Sequence, residues 1–310
     1  MIRETLFSLG SLYRDELRVT GYRFGSGEKA ACIVGAMRGN EVQQMFVASQ
    51  LVHALRLLEE QGGLMPGKEI LVIPSVNHFS MNIGKRFWAL DNTDINRMFP
   101  GYDQGETTQR IAAKLFEQVS GYALGMQFAS FYMPGNFLPH VKMMDLGYQS
   151  PDLGRAFGLP YVLLRHPRPY DSTTLNYNWQ VWETQAFSIY STATDEIDER
   201  SARESVEAVL RFLSARGVLV PGLFGPGEPS RIVTESDLIP VHAAVSGVYR
   251  RFFHPGDRIR EGQVLCEILH PLEGEVVARV ASPVNGRVFF AHHSPLVSER
   301  GVVYKIITGE

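Results

Sequence analysis

The sequence predicts a three-layer, mixed-sheet α/β domain over residues 1–220, a linker at 221–231 and a small all-β domain over 232–310. Three observations carry this. Two short β-branched runs near the start flank a long amphipathic stretch, the pattern of a β-α-β unit with parallel strands. A stretch rich in Pro and Gly, Pro221 to Pro229, then breaks the chain. Beyond Ile232, turn residues recur at close spacing and no helical period appears.

Residues 1–25 alternate loosely and read as an edge strand or hairpin. Ala31-Cys32-Ile33-Val34 and Glu69 to Ile73 are short, apolar and bounded by turn residues, so both read as buried strands. Between them, Glu41 to Glu60 places Met45, Ala48, Val52, Leu55 and Leu58 at helical spacing, and Gly62-Gly63 stops the helix. Thr107 to Val119 is a second helix with Ile111, Leu115 and Val119 inward. Tyr161 to Leu164 and Ala186 to Tyr190 read as strands. Ser201 to Ala215 is a third helix, with Ser201 as its cap, Glu204 three residues on, and Val206, Val209, Leu210 and Leu213 as its stripe. In the last 75 or so residues, His254-Pro-Gly-Asp257, Arg260-Glu-Gly262, Glu273-Gly274 and Asn285-Gly286 mark turns between short strands.

Composition narrows the function classes. The chain has 310 residues, 45% hydrophobic and 20% charged, as expected of a globular protein. A formal net charge of −3 gives no polybasic surface for nucleic acid or membrane. Cys32 and Cys266 both sit in apolar runs and read as small core residues rather than a disulfide. No signal peptide or long apolar span is expected, and a reducing cytoplasm is the expected location.

Two segments carry chemistry. Gly35-Ala-Met-Arg-Gly-Asn-Glu41 leaves the end of a buried strand, where open α/β sheets place their sites. A His at position 38 would make it half of a zinc site with Glu41, but Arg38 is a permanent cation and no zinc ligand. The second segment is Thr93-Asp-Ile-Asn-Arg-Met-Phe-Pro-Gly101, downstream of Gly84-Lys-Arg86. Its Asn-Arg alone is a weak signal, and its plain reading is a polar turn with Arg97 paired to Asp94.

Together the two segments resemble the succinylglutamate desuccinylase/aspartoacylase family, a branch of the zinc-carboxypeptidase-like fold. The family's Gly-x-His-Gly-Asn-Glu is similar to the segment ending at Glu41, with one residue altered. Its Asp-Leu-Asn-Arg-x-Phe-Pro-Gly is matched by Asp94 to Gly101, and its upstream arginine by Arg86. The C-terminal unit resembles the biotinyl/lipoyl-like (barrel-sandwich) module of many bacterial members, through Ala244-x-x-Gly247, Pro255-Gly-Asp257, Glu261-Gly-Gln263 and Pro283-x-x-Gly286.

The resemblance implies a mechanism. A zinc held by His, Glu and His activates water, a glutamate takes its proton, and the amide of an N-acyl amino acid is cleaved. Carried over, Glu41 is the retained ligand position, and Arg38 stands at the first His. Gln127 of Gly125-Met-Gln-Phe128 stands at the second His, with Gly125 at an aspartate. Tyr190 stands at the glutamate base. Glutamine is a poor zinc ligand, and tyrosine a poor general base at neutral pH. Arg86, which polarises the scissile carbonyl, and the pair Asn96 and Arg97, which clamps a substrate carboxylate, stand where the family puts them.

An uncompensated buried Glu41 would be costly, so the Arg38 guanidinium is expected to take the metal's place and pair with it. His78, His140 and His166 fall on expected loops, none at HxxE or HxxxH spacing, and His292-His293 reads as a solvated turn. The Pro271-Leu-Glu-Gly274 turn has no Lys for biotin or lipoate, so the module is expected to cover a sheet edge or pocket mouth, or to mediate oligomer contacts.

Two functional readings follow. In the first, the chain binds a small carboxylate-bearing N-acyl amino acid or related amide with weak or no hydrolysis and needs no cofactor. It would act as a pseudoenzyme, as a homo-oligomer or beside an active paralogue. In the second it is a working amidohydrolase, with zinc or with Glu41 as base, Arg38 and Arg86 as electrophiles and Tyr190 as proton donor. A cation at the zinc position cannot lower the pKa of bound water as zinc does, which favours the first.

Overall fold

The computed structural model describes residues 1–10 and 15–309. The chain forms two compact units, Met1–Ser130 with Pro139–Ile232, and Phe131–Leu138 with Val233–Glu310. The short stretch 131–138, which the sequence groups with the first domain, therefore belongs to the second.

In the first unit, β1 (Ile2–Leu9) and β2 (Leu17–Gly25) pair antiparallel, and the turn expected between them falls largely outside the described residues. Then come β3 (Glu28–Ala36), α1 (Val42–Glu60), β4 (Lys68–Ser75), α2 (His78–Met81), α3 (Thr107–Val119) and β5 (Leu124–Phe128). The short strand β6 (Gly135–Phe137) serves the second unit. The first unit resumes with β7 (His140–Met144), β8 (Tyr161–Arg165), α4 (Leu175–Val181), β9 (Gln185–Tyr190) and α5 (Glu199–Ala215), and closes on the first residues of β10 (Arg231–Thr234). The strands form one sheet in the order β1-β2-β4-β3-β5-β9-β7-β8-β10.

β3 pairs parallel with β4 and β5, and β5 with β9, while β7 runs antiparallel to β9. The sheet is thus mixed. The carboxyl ends of β3, β5 and β9 lie side by side, where such sheets build sites. Alternation along each strand feeds two cores. Ile33, Val72, Met126 and Ile189 pack with Leu51 of α1 and Val209 of α5. Cys32, Val34 and Ile73 face the other way, with Ile111 and Leu115 of α3 and Trp179 of α4. Strands apolar on both faces are what a parallel sheet covered on both sides demands.

Several local expectations shift. The fully buried stripe of α1 is Val47, Ala48, Leu51 and Leu55, so the helix is rotated slightly from the stripe read in the sequence. Helix α5 begins at Glu199, and its cap is Asp198, whose carboxylate accepts from Ser201 N at 2.7 Å. Ser201 is buried in the first turn, where Gln43 Nε2 donates to its hydroxyl at 3.2 Å. An aspartate three residues upstream offers a stronger acceptor to the same orphan N–H groups. His140 is not on a loop, since it opens β7 and is buried. The stretch 221–230 is tied to its own unit: Arg211 Nε donates to Gly225 O at 2.7 Å, and Glu228 N to Gly158 O at 3.0 Å.

The second unit is built of strands and one 3-10 turn, Glu235–Asp237. It comprises β11 (Leu238–His242), β12 (Gly247–Arg251), β13 (Arg258–Ile259), β14 (Val264–Leu269), β15 (Val276–Ala281), β16 (Gly286–His292), β17 (Leu296–Val297) and β18 (Val302–Ile307). One sheet runs β11-β18-β16-β13 with β6 added on β16, and the other β15-β14-β12-β17. Leu265, Cys266, Ile268, Val288 and Ile306 fill the core. β6 joins because Phe137 lies opposite Phe290 and extends an aromatic cluster with Phe131. A Cβ at Gly135 would stand 2.2 Å from the Phe290 ring, so only glycine lets this strand approach.

Candidate functional site

The site gathers at the carboxyl ends of β3, β5 and β9. The loop after β3 turns back on itself, and its Glu41 side chain is fully buried. Both carboxylate oxygens are engaged. Oε2 accepts from Met37 N at 2.8 Å and Arg38 N at 2.9 Å. Oε1 accepts from Arg38 Nη1 at 2.9 Å and from the Ser130 hydroxyl, which ties the loop after β5 to the loop after β3.

Arg38 is also buried and holds a second carboxylate. Its Nη2 donates to Asp94 Oδ2 at 2.8 Å, and its Nε to both Asp94 oxygens at 3.1 Å. This fork-on-carboxylate geometry is the strong form of an arginine ion pair. Burial alone would lower the Arg38 pKa, but the charges of Glu41 and Asp94 outweigh it and hold the guanidinium above its ordinary value. The expected Arg38–Glu41 pair is present. The partner read for Arg97 is not: Asp94 pairs with Arg38, while its Oδ1 also accepts from Asn96 N at 3.0 Å and so starts the 3-10 turn Ile95–Arg97.

Arg97 turns instead toward the segment before α4. Its Nη1 donates to Tyr170 O at 3.2 Å and lies 3.9 Å from Asp171 Oδ1, and Asp171 is paired more closely with Arg165. Asn96 is buried, and its Oδ1 accepts from Leu175 N at 3.2 Å, which fixes the start of α4 and leaves its amide NH2 as a donor. Arg86 is half-buried, and its backbone carbonyl receives Gly39 N at 2.9 Å. Burial first, then the nearby Arg38 guanidinium, pushes the pKa of Arg86 down, with Glu41 and Asp94 opposing. Arg97 is lowered in the same way, by burial and by Arg38, with Asp94 again opposing. Arg38, Arg86 and Arg97 thus act on one another as like charges, with Glu41 and Asp94 opposing them.

A row of polar side chains crosses the sheet beside this cluster. Gln127 on β5 lies level with Ser188 on β9, and Ser188 with Lys142 on β7. Asn176 of α4 donates to the Ser188 hydroxyl at 3.1 Å, while its own buried Oδ1 has no partner among the described residues. Tyr190 lies two residues beyond Ser188 on the same strand face. Its ring stacks on His140 at 4.7 Å between centroids, with Lys142 Nζ 5.7 Å from its centre.

Residues 28–126 match the family of succinylglutamate desuccinylase/aspartoacylase catalytic domains. The match falls on the first unit, from β3 into β5, and there the chain is similar to the succinylglutamate desuccinylase/aspartoacylase family. It is 23% identical over 263 residues to the N-alpha-acetyl-L-2,4-diaminobutyric acid deacetylase of Halomonas elongata, covering 81% of this chain and 73% of that one. The fold is similar to a succinylglutamate desuccinylase from Silicibacter sp. TM1040, with a TM-score of 0.82 at 16% identity over 99% of this chain and 95% of that one. It is also similar to the product-bound ectoine utilization protein EutE (DoeB) from Ruegeria pomeroyi, with a TM-score of 0.77 at 18% identity over 95% and 90%.

The family's zinc does not fit the residues present. A zinc ion takes thiolate, imidazole or carboxylate ligands. At the positions where the sequence reading expects its ligands stand a guanidinium, an amide and a carboxylate whose two oxygens are already hydrogen-bonded. Among the described residues no three His, Cys, Asp or Glu side chains converge as a metal site. His78 opens the short α2, His166 lies 3.5 Å from Asp145 on an exposed loop, and His140 is stacked on Tyr190.

Gly125, expected from the resemblance to stand at an aspartate position, has its own explanation. A Cβ there would stand 2.7 Å from the Trp179 ring of α4, so that indole fills the space an aspartate would need. Gly125→Ala is expected to cost about 1–3 kcal/mol by overpacking, read from urea unfolding. An unchanged midpoint would show that the indole can shift aside.

Sequence reasoning missed Asp94 as the partner of Arg38, and Ser130, Lys142 and Asn176 altogether. Asp94 lay in a motif already singled out, but nothing local indicates a contact 56 residues away. Lys142 carries one readable signal, as a charge at the centre of an otherwise apolar strand.

Proposed function

We propose that this family member binds a carboxylate-bearing N-acyl amino acid, or a related amide, and hydrolyses it weakly or not at all. The observation that carries the reading is the closed ion network of Arg38, Glu41 and Asp94. Glu41, the one retained ligand position, spends both oxygens on the protein itself, and Arg38 supplies the charge a metal would have supplied. A guanidinium polarises a carbonyl but does not generate hydroxide from water, so the hydrolytic half of the family reaction loses its nucleophile. The guanidinium groups of Arg86 and Arg97, with the NH2 of Asn96, support binding of one carboxylate.

In this reading the all-β unit is a biotinyl/lipoyl-like module without carrier function, since the exposed turn at Leu272 bears no lysine. The protein acts as a homo-oligomer or beside an active paralogue, and the buried, unpaired Cys32 and Cys266 fit a reducing cytoplasm. Among the described residues no helix is long and apolar enough to cross a membrane.

The test is metal analysis of the purified protein, together with thermal shift and hydrolysis assays on a panel of N-acyl amino acids. The expected result is stabilisation by carboxylate-bearing members of the panel without turnover and without stoichiometric zinc. Stoichiometric zinc with turnover would establish the working amidohydrolase instead.

A further inference from the structure

The second unit holds a feature that the reading of the first does not use. A groove of about 830 Å³ opens beside the short strand β13 and the turn before β16. Arg258, Arg260, Glu261, Gln263 and Asn285 line it. Arg258 and Arg260 alternate about Ile259, which is buried in the core, so both guanidinium stems leave the outer face. Arg258 also lies directly opposite Arg287 in the β13–β16 ladder. Among the described residues neither Arg258 nor Arg260 forms an ion pair.

The amides of the groove are turned the same way. Gln263 Oε1 accepts from Arg260 N at 2.9 Å, and Asn285 Oδ1 from Glu261 N at 3.0 Å. Those bonds fix which end of each amide is oxygen and commit both oxygens to the backbone. What remains for a ligand is the NH2 of each amide. The groove therefore offers guanidinium and amide donors, its side-chain carbonyls are already used, and Glu261 is the one carboxylate in its lining.

We propose that this groove binds a small multivalent anion, carrying phosphate or several carboxylates, through Arg258, Arg260 and the NH2 groups of Gln263 and Asn285. Such an anion offers only acceptors, which is what the lining lacks. The size suits a metabolite, and the two arginines suit two negative charges.

The experiment is calorimetric titration of the full chain with inorganic pyrophosphate and, separately, citrate, at two salt concentrations. The pair of probes distinguishes a phosphate from a polycarboxylate source. Wild-type protein is expected to bind one of them, more weakly at the higher salt. Arg258→Ala with Arg260→Ala is expected to weaken binding at least tenfold, about one power of ten or more in Kd. Its thermal midpoint without ligand should stay close to that of wild type, because both side chains are exposed.

Asn285→Asp is the second variant. It keeps the oxygen that receives Glu261 N and replaces the NH2 donor by negative charge, so it should fold and lose binding. Arg300→Ala, at an exposed turn of the same unit, should bind as wild type does. Absence of binding by either probe overturns the proposal. So does affinity retained in both groove variants. Binding that disappears in Arg97→Ala but survives in the groove variants would place the anion in the first unit and also overturns it.

Discussion

Arg38→Ala is expected to destabilise the protein by about 3–5 kcal/mol, because it strands two carboxylates inside the fold. Glu41 has no exposed surface, and among the described residues Arg38 is its only ionic partner. Asp94 loses all three of its contacts from the guanidinium in the same step. Two backbone N–H groups and the Ser130 hydroxyl remain on Glu41, but they stabilise a carboxylate less than a fork of charged donors does. Adding Glu41→Gln to Arg38→Ala should recover part of the loss, since a neutral amide costs less to leave buried. Arg38→Lys should fall between, because an ammonium on a flexible stem cannot hold both acids in the fork geometry. Urea unfolding of the four proteins checks this. A loss below about 1 kcal/mol in Arg38→Ala would show that water replaces the guanidinium at little cost, and that the ion network is incidental.

The second large effect concerns metal. Arg38→His combined with Gln127→His is expected to bind about one equivalent of zinc where wild type binds none stoichiometrically, measured by elemental analysis after dialysis. The two imidazoles would join Glu41, whose Oε1 loses its charged donor and keeps only the Ser130 hydroxyl when the Arg38 guanidinium is removed. The same variant should be more stable in zinc than in chelator. At free zinc a hundredfold above Kd the gain is about 2.7 kcal/mol, since the ion binds only the folded state. The two predictions are coupled: one substitution strands Glu41, and the other supplies a different cation for it. Failure to gain zinc would show that Gln127 does not occupy the histidine position.

The parts of this protein legible in its sequence were those written in short range. The boundaries of α3, Thr107–Val119, follow from the spacing of Ile111, Leu115 and Val119, because a helical stripe repeats within the helix itself. β3 and β4 were readable as strands for the same reason. Local competition accounts for the errors. Asp198 outcompetes Ser201 for the cap of α5, and both residues offer the same kind of signal. The stripe of α1 is rotated because its neighbours on β3 and β4, not its own composition, choose the buried face.

At the site, residue identities were legible and partners were not. The Gly-Asn-Glu that follows Arg38 fixed its register against the family motif and put a cation where the resemblance expects a ligand. Chemistry alone then required a charge partner for Glu41, and the pairing of residues three apart is within reach of a single loop. Asp94, Ser130 and the polar row of Gln127, Ser188 and Lys142 were decided only when the sheet set strand order and register. A parallel β5–β9 pairing and an antiparallel β9–β7 pairing place those residues level, and no local pattern encodes either. The sequence by itself thus determined which charges this protein must bury. The tertiary structure decided which of them meet, because ion pairs act over a few ångströms of space regardless of how many residues separate them along the chain.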